Sequence, residues 1–191
     1  MAKGKLIILS GPSGVGKGTV RASLFEDESL NLAYSISMTT RLPRAGERDG
    51  IDYFFVSQEE FQRKIDEDGF LEYAQFVGNC YGTPKDYVDQ LLNDGKNVVL
   101  EIEVQGALQV MKKCPEALTI FLVPPSMDEL EKRIRGRRTE EEDIVRQRLD
   151  KAKREIATQN EYKYVVCNDD VEEAKNKIAK IIKMNANVLT K

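Results

Sequence analysis

The chain predicts a three-layer α/β fold: a parallel core sheet with helices on both faces. Three observations carry that prediction. Compact apolar runs at 6–9, 98–102 and 118–123 have the character of strands buried on both faces. Helical patterns near 105–113, 126–136, 140–158 and 171–188 lie between or after them. A glycine-rich loop joins the first apolar run to the first helix, at 11–17. The length of 191 residues suits one domain with a sizeable core.

The elements follow in order. After the loop, 19–25 reads as helix and 33–37 as a short strand. Residues 39–50 (TTRLPRAGERDG) form a basic, turn-rich connection. Residues 52–56 alternate as a strand. Ser57, with Glu60 three places on, is a capping box that opens a helix to about 68. Residues 70–76 alternate again, and 77–83 continue as a turn-rich hairpin. Pro84 is read as opening a helix that Gly95 closes. In the last helix Val171, Ala174, Ile178, Ile181 and Ile182 make one apolar stripe, a core-facing side. The segment from about 36 to 90 is rich in short strands and reads as an inserted subdomain.

Composition excludes several classes. Hydrophobic content of 41% and charged content of 32% describe a soluble globular chain. A net charge of −3 argues against a general nucleic-acid surface. No apolar run approaches a membrane span, and MAKGK lacks a signal-peptide core. The expected compartment is the cytoplasm, and Cys80, Cys114 and Cys167 read as reduced structural thiols. Histidine is absent. That removes the Ser-His-Asp triad and most zinc sites, leaving carboxylates, Arg, Lys, backbone and a bound metal for any chemistry.

The loop Gly11-Pro12-Ser13-Gly14-Val15-Gly16-Lys17 is built for phosphate. Glycines let backbone N–H groups turn inward and approach oxygens closely. The following helix aims its positive end at the same place. Lys17 adds a mobile charge for β- and γ-phosphates and is expected to project to solvent without ligand. The Ser or Thr that usually follows the lysine is Gly18 here, with Thr19 one place later, so direct hydroxyl ligation of a metal is weakened.

Other constellations surround it. Arg41 and Arg44, with Glu47 and then Tyr53, suit an anionic group, since each arginine can fork onto phosphate oxygens. Solvated loop charges are the plain alternative. Glu72 followed by Tyr81, Gly82 and Thr83 fits a guanine edge: a carboxylate accepts from N1–H and N2–H₂, and a hydroxyl of Ser37 or Thr83 donates to O6. Glu101 and Glu103 end an apolar strand, where open α/β sheets bind ligands, and alternation puts them on one face. A Mg²⁺, its water shell or a base donor would relieve their burial; a strand end already in solvent is the alternative. KRIRGRR at 132–138, with Arg148 beyond, is either a solvated face or a lid that brings arginines to transferring phosphates.

Taken in series, SISMTTRLPRAGERDGIDYFF, EYAQFVGNCYGTP, LEIEVQG and GRRTE closely resemble the guanylate kinase family of the bacterial type, from about residue 5 to 185. The resemblance implies a P-loop NTPase fold with a parallel core sheet, an inserted mixed α/β GMP-binding region and a helical lid. The corresponding bounds are core 1–35, 92–125 and 145–191, GMP-binding region 36–91, and lid 126–144. It implies ATP-dependent phosphorylation of GMP and dGMP with Mg²⁺ in a closed site. Gly11, Pro12, Ser13, Gly14, Val15, Gly16, Lys17, Gly18 and Thr19 would hold ATP phosphates, with Asn168 near adenine. Ser37, Glu72 and Thr83 would read guanine, joined by Glu101 and Glu103. Arg41, Arg44, Tyr53 and Tyr81 would hold the GMP phosphate, with Glu47 orienting an arginine. Lys17, Arg41, Arg133, Arg137 and Arg148 would stabilise the migrating phosphoryl group. Mg²⁺ would sit on phosphates and water, with Thr19 or Glu101 as the nearest protein groups. The implied partners are ATP and GMP, without nucleic acid or membrane, and a homo-oligomer stays open. Gly18, the pair Glu101/Glu103, and Arg138 after Arg137 depart from the common pattern of the family. A kinase for another monophosphate, or a non-catalytic binding module, are the competing classes; Glu72 with its hydroxyl partners argues against the first and Lys17 against the second.

Overall fold

The computed structural model describes residues 2–136 and 142–186. Its core is a five-stranded, all-parallel sheet in the order β2-β7-β1-β8-β9. These strands are β1 (Leu6–Ser10), β2 (Leu32–Tyr34), β7 (Asn97–Glu101), β8 (Leu118–Val123) and β9 (Tyr164–Cys167). β1 is buried at every position, as a central strand covered on both faces must be. Its side chains divide by alternation. Ile7 and Leu9 face Val20 and Leu24 of α1 (Lys17–Leu24) and Ala174, Ile178 and Ile182 of α7 (Val171–Asn185). Leu6 and Ile8 face Val88 and Leu92 of α3 (Lys85–Asn93) and Val104, Ala107 and Val110 of α4 (Val104–Lys113). Two apolar layers on one sheet are the expected three-layer architecture.

A second, four-stranded sheet in the order β4-β3-β6-β5 stands apart from the first. It comprises β3 (Met38–Thr39), β4 (Phe54–Phe55), β5 (Phe70–Phe76) and β6 (Asn79–Pro84), with α2 (Gln58–Asp66) packed on it. Phe61 and Phe70 stack at 4.5 Å in its small core. The capping box forms: Ser57 Oγ accepts from the Glu60 backbone N–H at 3.1 Å. α5 (Met127–Arg135) and α6 (Glu142–Ile156) bury Leu130, Ile134, Val145 and Ala152 against each other. Arg137 and Arg138, assigned to the lid, lie outside the described residues.

The structure refines the sequence reading in three places. Pro84 opens α3 as its N-cap, one place before the first helical residue, and also ends β6 in extended backbone, so its missing N–H costs the helix nothing. The short strand expected over 33–37 is Leu32–Tyr34 and stops before Ser37. β9 has no counterpart in the sequence reading. It is an edge strand of only four residues, YVVC, shorter than the six-residue apolar run of β8.

Candidate active site

The glycine-rich loop leaves the carboxyl end of β1, between β7 and β8. Gly11 (φ 148°) and Gly16 (φ 96°) hold backbone that side chains resist. A Cβ on Gly11 would stand 2.5 Å from the Leu122 carbonyl oxygen, and one on Gly16 would stand 2.7 Å from Asn168 Nδ2. The loop backbone runs against the Leu122 carbonyl at Gly11 and the Asn168 side chain at Gly16, so glycine is required by contact as well as by φ.

Lys17 does not project to solvent. Its Nζ donates to the Gly11 carbonyl at 2.6 Å and to the Pro12 carbonyl at 3.2 Å. The loop closes around its own cation because those carbonyls, pushed out by the tight turn, are the nearest acceptors. Burial pulls the Lys17 ammonium below its ordinary value, against Glu155, Glu101 and Glu103. Thr19 and Gly18 point to different places. Thr19 is exposed and borders a groove of about 370 Å³ with Gly14, Gly16, Arg133 and Asn168. Gly18 faces Glu101, whose Oε1 would be 3.5 Å from a Cβ there. The two candidate metal contacts are thus on different sides of α1, and Glu101 is the one beside the lysine.

Asn168 is a latch on the loop. Its Nδ2 donates to the Val15 carbonyl at 2.7 Å, its backbone N–H donates to Val123 at 2.8 Å, and Oδ1 is buried without a partner. Arg133 donates to the Asn168 carbonyl at 2.8 Å and pairs with Glu129 at 3.3 Å. Arg148 reaches the loop as well, its Nη2 lying 3.1 Å from Ser13 Oγ.

Across the sheet end lies a second cavity of about 460 Å³. Ser37, Tyr53, Glu72, Tyr81, Glu101 and Glu103 border it. Glu72 is buried, and Thr83 Oγ1 donates to its Oε1 at 2.6 Å. Burial raises the Glu72 carboxyl above the usual carboxylate range, opposed by those Thr83 hydrogen bonds. Gly106 leaves the room: a Cβ there would stand 2.8 Å from Glu72 Oε2. Arg41 forks onto Glu47 with two contacts of 2.9 Å, and Glu47 also accepts from the Arg44 backbone N–H at 2.7 Å. That pairing holds Arg41 well above, and Glu47 below, their ordinary values. Tyr53 lies beneath Arg41 at 5.4 Å and beside Tyr81 at 6.2 Å. The Arg44 side chain stays exposed.

Glu101 and Glu103 both border this cavity, but the strand stops at Glu101, so simple alternation does not govern the pair. Glu103 precedes α4, and each carboxylate takes a different cation. Arg21 of α1 holds Glu101 at 2.6 Å, and Lys151 of α6 holds Glu103 at 2.7 Å. Sequence reasoning missed Arg21, Lys151 and Glu155. The signal for the α6 pair was their spacing from Arg148, which puts all three along one side of a helix. A further cavity, about 530 Å³, opens at the far end of the sheet beside Lys5, Leu92 and Asn185 and holds none of these groups.

With this geometry in view, a profile of the guanylate kinase family matches residues 3–185. The chain belongs to the guanylate kinase family. It is 57% identical over 182 residues to a guanylate kinase of Mycoplasma mycoides, covering 95% of this chain and 61% of that protein. It is 55% identical over 180 residues to the Latilactobacillus sakei guanylate kinase, covering 94% of this chain and 89% of that one. The crystal structure of guanylate kinase from Anaplasma phagocytophilum matches with a TM-score of 0.73 at 36% identity, over 96% of this chain and 86% of that one. The family accounts for the fold: a parallel P-loop core carrying a separate small sheet. No helix among the described residues is long and apolar enough to cross a membrane.

Proposed function

We propose that this chain transfers the γ-phosphoryl group of ATP to GMP, and to dGMP, giving GDP or dGDP. The observation that carries this reading is Glu72. It is a buried carboxylate, tied on one oxygen by Thr83 and bordering a cavity at the same sheet end as the phosphate loop. A carboxylate in that place complements adjacent ring donors, which guanine offers and adenine lacks. Ser37 in the same cavity can donate to guanine O6. None of these groups addresses the ribose 2′-OH, hence the acceptance of dGMP.

The reaction needs no protein base of ordinary strength, because the acceptor phosphate is already an anionic nucleophile. One of its oxygens forms a bond to the γ-phosphorus as the bond to the β-phosphate bridging oxygen breaks. Lys17 and the backbone N–H groups of the 11–19 loop, Pro12 excepted, hold donor phosphates. Arg41, Arg44, Tyr53 and Tyr81 hold the acceptor phosphate; Glu47 keeps Arg41 forked until that phosphate replaces it. Arg133, Arg137 and Arg148 neutralise charge on the migrating group, and Asn168 lines the adenine side. Closure of the lid and the acceptor region excludes water.

A Mg²⁺ fits this site as a passenger of ATP. Among the described residues no cluster of three or more acidic, Cys or His side chains could cage a metal. Glu101 Oε1, open toward Gly18, is the group that would meet its water shell, and the ion would supply charge neutralisation on β- and γ-oxygens. The three free thiols suit a cytoplasmic setting. ADP formation measured with each monophosphate in turn tests the reading. GMP and dGMP are accepted, and AMP, CMP and UMP fall behind by about 10⁴-fold, the discrimination unpaired buried polar groups can give. Comparable turnover with AMP overturns it.

A further inference from the structure

Among the described residues β5 is the edge of the second sheet, paired with β6 alone. Its free edge lies against one side of α4, formed by Gly106, Gln109 and Lys113 at helical spacing. Gln109 meets the Tyr73 backbone twice. Its Oε1 accepts from the Tyr73 N–H at 3.3 Å, and its Nε2 donates to the Tyr73 carbonyl at 3.2 Å. Those are the two bonds a further strand would make. One turn on, Lys113 Nζ donates to the Phe70 carbonyl at 2.8 Å and to Asp68 at 2.6 Å. One turn back, Gly106 leaves space for Glu72, whose Oε2 would stand 2.8 Å from a Cβ there. Between these contacts the pairing of β5 with β6 shifts register, from Phe70 to Glu72, and Leu71 is buried in one cluster with Val104, Ala107 and Val110 of α4.

Tyr73 is exposed, so water can satisfy its backbone groups, and hydrogen-bond completeness alone does not require Gln109. What the double contact adds is position. Glu72 directly precedes Tyr73. Thr83 of β6 ties one of its carboxylate oxygens, and the other lies against Gly106 of α4. The carboxylate is thus set between two elements, and Gln109 holds their spacing at this point. A slip of the strand edge by about 1 Å withdraws Glu72 from a bound ring, a displacement large enough to matter in a preorganised site. We propose that Gln109 is a positioning residue for the acceptor: it pins the β5 edge to α4 at Tyr73 and so fixes how far Glu72 enters the acceptor cavity. The inference rests on the reading of Glu72 as the guanine-binding carboxylate.

Steady-state kinetics of Gln109→Met test it. Methionine keeps the length and helix preference of glutamine and removes both bonds. KM for GMP rises about threefold to tenfold, the scale of a lost neutral hydrogen bond, while KM for ATP and kcat at saturating GMP stay within about twofold. In the double variant Glu72→Gln/Gln109→Met, KM for GMP stays within about twofold of that of Glu72→Gln alone, because Gln109 acts through the carboxylate. A merely structural role lowers the melting temperature and leaves KM for GMP in place, or multiplies the two effects in the double variant. Either result overturns the proposal. If Gln109→Met does not fold, Gln109→Asn decides: it stays polar but is one methylene short of Tyr73, and an unmoved KM for GMP overturns the proposal. An unaltered chain that does not phosphorylate GMP overturns the reading of Glu72, and this inference with it. An unaltered chain that phosphorylates GMP, beside variants that leave its KM unmoved, overturns this inference alone.

Discussion

Consecutive residues 10–19 supply nearly the whole glycine-rich loop, whereas the cavity across the sheet end takes Ser37, Glu72, Tyr81, Glu101 and Lys151 from separate segments of the chain. The two regions also store their charge differently. Lys17 is half-buried and held by the loop's own carbonyls. Arg41, at the chain surface, is held by Glu47, six places on. Both cations are held by an internal partner in the ligand-free molecule, and both are half-buried. The difference lies in what holds them: two neutral backbone carbonyls at Lys17, a forked carboxylate at Arg41.

Mutations can break that contrast. Lys17→Ala has the largest effect: kcat falls by about 10²-fold or more, because one preorganised charge at developing phosphate charge contributes about 3–4 kcal/mol. The fold survives, since the carbonyls released by Lys17 can turn to water. An equally active, well-folded variant, read by steady-state kinetics and circular dichroism, removes the loop from catalysis.

Glu72→Gln sharpens the comparison from the other side. KM for GMP rises about tenfold to a hundredfold, the loss of hydrogen bonds to a charged group, while KM for ATP changes little. Stability moves the opposite way. Burial lets the folded chain keep the Glu72 proton to higher pH than the unfolded chain does. The folded state then binds more protons between the two values, so stability is lost as pH rises through that window. At neutral pH the ionised buried carboxylate is a cost, and Glu72→Gln raises the melting temperature of the ligand-free protein. A variant that melts lower at neutral pH contradicts this account of the buried acid.

Glu47→Gln is milder. It frees Arg41 from its fork on a half-buried surface turn, so KM for GMP shifts less than about fivefold, the range of a surface ion pair. A hundredfold change would mean that Glu47 itself contacts the acceptor. Ser57→Ala has the smallest functional effect: it removes the α2 cap, costs about 0.5–2 kcal/mol in urea melts, and leaves KM for ATP unchanged.

Within the fold, β5 and β8 coincide with the alternating and apolar runs that predict them. In β8 both faces are covered, so burial writes itself into every residue. β9 is apolar throughout, YVVC, but is only four residues long at the sheet edge, and so short an apolar run does not by itself distinguish strand from helix.

What the sequence determined by itself was whatever depends on neighbours in the chain: the phosphate loop, the helix caps, the buried strands and the Arg41–Glu47 turn. Glycine at φ values other residues resist, and a capping hydroxyl three residues from its target, are local requirements that leave local marks. What only the tertiary structure decided is which charges meet. Glu101 went to Arg21 and Glu103 to Lys151, and Thr19 turned to the groove bordered by Arg133 and Asn168 while Gly18 faces Glu101. Electrostatic interaction acts through space and through the local dielectric, so a pairing across 80 residues leaves no spacing to read until the sheet brings its partners together.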